Sequence, residues 1–184
     1  MKRIVIGLAL VSLSGCGYNR IQTYDEEINA FKSQIEVQLQ RRSDLIPNLV
    51  ATVRGFADQE EEVFTAIADA RSRLGGAIQS GELGQMAEAN QSLTQGLGRL
   101  LVISEAYPEL RSNQNFMELQ VQLEGTENRI ATARQDYNDA VRTYNGFIRR
   151  FPQALTAKAT GAGAREYFEV TSAEARDVPT VNFN

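Results

Sequence analysis

Residues 116–151 read FMELQVQLEGTENRIATARQDYNDAVRTYNGFIRRF, and their reading decides the fold. Phe116, Leu119, Leu123, Thr126, Ile130, Ala133, Tyr137, Ala140, Tyr144, Phe147 and Phe151 recur every three or four residues, which places them on one stripe of an α-helix. A helix over residues 112–150 rises about 1.5 Å per residue and reaches roughly 57 Å. With an aromatic stripe open to water, such a helix would be neither stable nor soluble alone. Other helices must cover it.

The rest of the composition agrees. The 184 residues are 42% hydrophobic, enough for one sizeable core with an anchor before it and a tail after it. Four prolines and no Trp, among many Gln, Glu, Ala, Arg and Leu residues, favour an all-α class. The expected organisation is a signal peptide over 1–15, a lipidated tether over 16–22, a helical bundle over 23–152 and a partly ordered C-terminal tail over 153–184. Removing Lys2 and Arg3 from the 19 basic residues leaves 17 against 23 acidic ones, a formal charge of −6. Phosphate binding needs a basic surface, so no nucleic-acid partner is expected.

The N-terminus carries an address. Met-Lys-Arg precedes the apolar run Ile4 to Leu13, and Leu13-Ser14-Gly15-Cys16 ends it with small residues before the single cysteine. This is similar to a bacterial lipoprotein signal with its lipobox, which implies cleavage after Gly15 and acylation of Cys16 as a stable membrane anchor. Gly17 follows where some lipoproteins carry an inner-membrane retention Asp. In a Gram-negative source that favours the outer membrane, facing the periplasm. Two alternatives stand beside this. A single-pass inner-membrane helix would need roughly 20 apolar residues, more than this run offers. An ordinary buried thiol would sit oddly at the end of such a run, and no second cysteine offers a disulfide.

Past the tether, Tyr24, Ile28, Phe31, Ile35 and Leu39 start a helix, with Thr23 and Glu26 spaced as a capping box. Ile46, Leu49, Val53, Phe56, Val63, Ile67, Ala70 and Leu74 continue the rhythm. The break between these runs has two readings. Asp44 could cap a new helix with Pro47 in its first turn, or a kinked helix could run from Thr23 to Phe56, with Asp58 and Glu61 capping the next. Gly75-Gly76 and Ser80-Gly81 bracket a turn, and Met86, Ala89, Leu93, Leu97, Leu100 and Ser104 set out another helix. Tyr107-Pro108 ends it. Short connections between four helices imply an antiparallel four-helix bundle. In the tail, Tyr167, Phe168, Val170 and Phe183 could dock on the bundle or stay loose.

Polar residues flank the apolar stripe. Glu127 and Arg134 are seven apart, as are Asn138 and Asn145, so each pair returns to nearly one azimuth. Their candidate partners are Arg41, Arg42, Asp44 and Asn48 in RRSDLIPNLV. One reading has these groups pair with each other to fix helix register; the other makes them a polar ligand site between helices. Tyr137 and Tyr144 read as core residues with bonded hydroxyls. There is no histidine, which removes a His-based triad and a Glu-x-x-His di-iron motif. With Cys16 acylated, no thiol nucleophile remains, and no glycine-rich phosphate loop occurs. A carboxylate pair such as Glu60 and Glu127 could serve acid–base chemistry or a hard cation, but numerous acids on helices usually form a solvated face. No catalytic residue, metal or cofactor is expected.

Tyr18-Asn19, Arg41-Arg42-x-Asp44-Leu-Ile-Pro-Asn-Leu-Val50, Gly55-Phe56, Tyr107-Pro108, Thr126-Glu127, Ile130, Arg134, Tyr137-Asn138, Tyr144-Asn145, Phe151-Pro152 and Pro179-x-Val181-x-Phe183 together resemble the LemA family. The resemblance spans nearly the whole chain after the signal. It implies an antiparallel four-helix bundle tethered by its N-terminus to a bacterial membrane, in a family whose members generally lack an assigned activity. Relatives occur in magnetosome formation and beside membrane protease genes. LemA-like proteins usually begin with a spanning helix, where this chain carries a lipobox. The function expected is a non-catalytic scaffold or adaptor of the cell envelope, with envelope proteins or a second copy of itself as partners. The alternatives are a binding module for a small or lipidic envelope ligand between the helices and a purely structural envelope protein.

Overall fold

A computed structural model of the chain describes residues 2–169, with side chains from residue 17 onward. The Cys16 side chain, Val170 and Phe183 lie outside this description. The described residues form six helices and no strand, so the all-α expectation is met. They are α1 (Lys2–Arg54), α2 (Glu61–Ser80), α3 (Leu83–Ala106), α4 (Pro108–Arg111), α5 (Gln114–Ile148) and α6 (Gln153–Thr160). No helix among the described residues is long and apolar enough to cross a membrane.

The helices group into two compact units. One takes α1 up to Ile35 together with Thr132–Tyr167, which includes the end of α5 and α6. The other takes Glu36–Ala131, which holds the rest of α1, all of α2, α3 and α4, and the start of α5, with Phe168 clustered there as well.

Helix α1 departs from expectation at its start. Residues 16–22, expected as a tether, are helical, and Ile21 is buried because it sits seven residues before Ile28 on the same face. Thr23 is not a cap: its hydroxyl donates to the Asn19 carbonyl one turn back, inside the helix. Of the two readings of the α1–α2 break, the structure takes the long helix, with Pro47 in its interior and an end at Arg54. Proline has no N–H, so the carbonyl of Ser43 loses its helical donor. Arg71 Nε, from α2, donates to that carbonyl at 3.1 Å and replaces it. The expected Asp58–Glu61 capping box does not form, since α2 starts after Glu60 with no side-chain cap. Glu61 and Glu62 still suit the positive end of its dipole. Gly81 ends α2 in the left-handed conformation that favours glycine (φ 71°), and its N–H reaches the Ala77 carbonyl.

Helices α2 and α3 pack where Gly96 faces Ile67. A Cβ built on Gly96 would lie 2.9 Å from Ile67 Cγ1, and Ile67 is fully buried. Gly96→Ala is therefore expected to destabilise the protein by about 1–2 kcal/mol, overpacking outweighing the gain in helix propensity. Gly76→Ala, with nothing within 4 Å of its Cβ, should instead stabilise by about 0.5–1 kcal/mol. Urea unfolding of both variants checks the pair, and equal signs would refute the close approach.

Asn113 begins α5, accepting the Phe116 N–H on its Oδ1 at 3.1 Å. From Phe116 through Leu123, Thr126, Ile130, Ala133, Tyr137, Ala140 and Tyr144 to Ile148, the inward positions are buried. Leu119 and Phe147 are half-buried. Phe151 is corrected: it is 82% exposed, because α5 ends at Ile148 and the chain turns before Pro152. A residue preceding proline is disfavoured in the helical region, so the apolar rhythm outruns the helix. Beyond that turn, residues 153–160 form α6, and residues 162–169 follow without regular structure, with Phe168 buried and Tyr167 partly exposed.

Candidate functional site

In the unit that holds α2 and α3, Arg42 lies on the inward stripe of α1. Ile35, Leu39, Arg42, Ile46 and Leu49 keep the three-four spacing, so the guanidinium is carried among apolar side chains. Its side chain is 5% exposed. Nη1 donates to Asn90 Oδ1 of α3 at 2.7 Å, and Glu127 Oε2 of α5 lies 2.5 Å from the same nitrogen. The carboxylate contact is ionic and lacks the alignment of a hydrogen bond: Glu127 Oε2 is buried without a hydrogen-bond donor, and Arg42 Nε is buried without an acceptor. Burial pulls the Arg42 pKa below its ordinary value, and the Glu127 charge opposes that shift. The Glu127 side chain as a whole is 44% exposed, so its attraction is partly screened.

A cavity of about 270 Å³ opens beside this pair. Leu49, Leu97, Leu100, Leu101 and Leu123 form most of its wall, with Arg42, Glu124 and Glu127 as charged members and Thr94, Gly98 and Gln120 completing the lining. Apolar walls with a few convergent polar groups are the usual makeup of a small-molecule site.

The other unit holds a second polar cluster. Asn145 is buried and clamps Arg165 from both sides of one residue: its amide donates to the Arg165 carbonyl, and its Oδ1 accepts the Arg165 N–H, both at 2.9 Å. The Tyr137 hydroxyl donates to the Glu166 carbonyl at 2.9 Å. The Arg165 guanidinium donates through Nε and Nη2 to Asp25 Oδ1 at 2.8 and 2.6 Å. That hydrogen bond is the main cause of a raised Arg165 pKa. Burial pushes the phenols of Tyr137 and Tyr144 up, with Arg165 opposing in both cases. Tyr24 and Phe147 meet edge to face, with centroids 5.3 Å apart. These contacts pin residues 165–166 onto α1 and α5.

The residues singled out from sequence are thus distributed. Arg42 and Glu127 come together. Asn145 bonds a backbone segment that follows α6. Arg41, Asp44 and Asn48 are exposed; Asp44 accepts from Gln40, and the Asn48 carbonyl accepts from Thr52. Arg134 and Asn138 are half-buried. Two partners escaped the sequence reading. Asn90 could have been found, because it takes a stripe position between Met86 and Leu93. The Asp25–Arg165 pair, 140 residues apart, leaves no local signal. Among the described residues, no group of three or more His, Cys, Asp or Glu side chains is placed to hold a metal ion.

Comparison with known proteins adds to this geometry. The sequence pattern described as the LemA family matches residues 21–183. Two magnetosome proteins of Paramagnetospirillum magneticum, MamQ 1 and MamQ 2, are each 31% identical over 175 residues, covering 83% of this chain and 64% of theirs. Magnetosome protein MamQ of Magnetospirillum gryphiswaldense is 30% identical over 174 residues, covering 82% of this chain and 64% of its own. The chain therefore spans just under two thirds of the length of these curated relatives.

Proposed function

The chain belongs to the LemA family, and from that we propose that it is a non-catalytic, membrane-anchored helical scaffold of the bacterial cell envelope. In this reading α1, α2, α3 and α5 make an antiparallel four-helix bundle. Acylated Cys16 holds it on the periplasmic side of a membrane, the outer one in a Gram-negative cell. The bundle presents its surface to envelope proteins or to a second copy of itself.

The observation that supports this reading is apolar surface on an acidic protein. Phe151 is 82% and Leu155 is 63% exposed, four residues apart across the turn into α6. Large apolar side chains grouped in water mark interaction sites more often than they mark stability. Crosslinking in intact cells followed by pull-down tests the proposal. Defined envelope proteins, or the chain itself, should be recovered reproducibly. The double substitution Phe151→Ser with Leu155→Ser should reduce that recovery several-fold while leaving the melting temperature in place. Reproducible recovery of nothing, or recovery indifferent to both substitutions, would overturn it.

A further inference from the structure

Helix α6 packs against the start of α1, within one unit. Gly17 is buried, and a Cβ built on it would lie 3.4 Å from Thr156 Oγ1 and 3.7 Å from Gln153 Cγ, ordinary van der Waals contact. Cys16 immediately precedes Gly17, so a surface that holds Cys16 lies one residue away from α6. The exposed apolar side chains gather at this end. Phe151 and Leu155 flank the turn into α6, and Tyr18, 44% exposed, follows Gly17.

It is also the basic end of an acidic chain. Between Asp139 and Glu166 the sequence holds Arg142, Arg149, Arg150, Lys158 and Arg165 and no acid. Arg142 pairs with Asp139, and Arg165 with Asp25. That leaves Arg149, Arg150 and Lys158, all exposed. On α1 the first acid after Cys16 is Asp25, about 12 Å along the helix from Gly17. Exposed rings and alkyl groups beside cations suit an anionic bilayer: the apolar parts enter the head-group boundary, and long cationic side chains reach the phosphates. An acidic protein could use the same cations, but a bilayer holding Cys16 is already in place.

We propose that this end of the unit, with Phe151, Leu155 and Tyr18 as its apolar members and Arg149, Arg150 and Lys158 as its cations, docks on the surface of an anionic lipid bilayer. The inference rests on the anchored-scaffold reading and names what the exposed pair meets first. The lipid then fixes how the scaffold stands when an envelope protein reaches it.

The chain contains no Trp, so Phe151→Trp gives emission from one position, and the exposure of that position leaves the fold undisturbed. The full chain is placed in vesicles of phosphatidylcholine and phosphatidylglycerol brominated in their acyl chains. The Phe151→Trp emission should shift to the blue and be quenched several-fold. Asn29→Trp, at an exposed position about 18 Å along α1 from Gly17, should keep the emission of Trp in water. Omitting phosphatidylglycerol, or combining Arg149→Gln, Arg150→Gln and Lys158→Gln, should each reduce the quenching of Phe151→Trp by about twofold or more. Unquenched Phe151→Trp emission, equal quenching of Asn29→Trp, or quenching indifferent to phosphatidylglycerol or to the three cations would overturn the proposal. Flotation separates this failure from failure of the anchor. A chain that floats with the vesicles while Phe151→Trp stays in water overturns the docking surface alone, and lost recovery in cells by Phe151→Ser with Leu155→Ser would then give the patch to a protein. A chain that does not float overturns both.

Discussion

Phe116→Ala is expected to lower the unfolding free energy by about 3–5 kcal/mol, the cost of emptying a buried aromatic position that the surroundings refill only in part. Phe116 is fully buried in the first turn of α5, with its N–H held by Asn113. Val121→Ala on the same helix, at a position 68% exposed, should change stability by no more than about 0.5 kcal/mol. Denaturant unfolding of the two variants separates them. Similar losses would mean that the apolar stripe does not face a core.

Asn145→Ala carries the second large effect. It removes both hydrogen bonds to Arg165 and leaves part-buried backbone groups without partners, at an expected cost of about 2–3 kcal/mol. That cost falls on one segment. Exchange of the Arg165 amide proton, bonded to Asn145 Oδ1, should accelerate by roughly tenfold for each 1.4 kcal/mol of lost protection. Arg165→Gln, which breaks only the exposed ion pair with Asp25, should cost about 1 kcal/mol or less. Unchanged exchange in Asn145→Ala would show that the clamp does not hold the segment.

These two predictions separate what the sequence makes legible from what it does not. The inward face of α5 follows from spacing alone, since an apolar residue every third or fourth position fixes a helical stripe whatever covers it. Arg42 and Asn90 are legible in the same sense: each is a polar residue on an otherwise apolar stripe. That Glu127 meets Arg42 depends on the register between two helices, which spacing within each does not set. The partner of Asn145 is a backbone, and a backbone has no signature in side-chain pattern. Pro47 shows a related limit. Proline ordinarily ends or breaks a helix, but here Arg71 supplies the donor that Pro47 lacks, so the helix continues. At Phe151 the opposite holds: Pro152 stops the helix where the sequence places its end, near residue 150, and the last member of the apolar rhythm falls outside it and into water. Residues 16–22 were legible too, since Ile21 already belongs to the face of Ile28.

The fold requires α5 to keep one face sealed by its neighbours and the other in water. Thiol labelling of single-cysteine variants in a Cys16→Ser background measures this directly. Phe116→Cys, Leu123→Cys, Ile130→Cys, Tyr137→Cys and Tyr144→Cys sit at buried positions; Glu118→Cys, Val121→Cys, Arg129→Cys, Gln135→Cys and Arg142→Cys sit at exposed ones. Labelling should be at least tenfold slower at the first five than at the second. Labelling of both sets at one rate would contradict it.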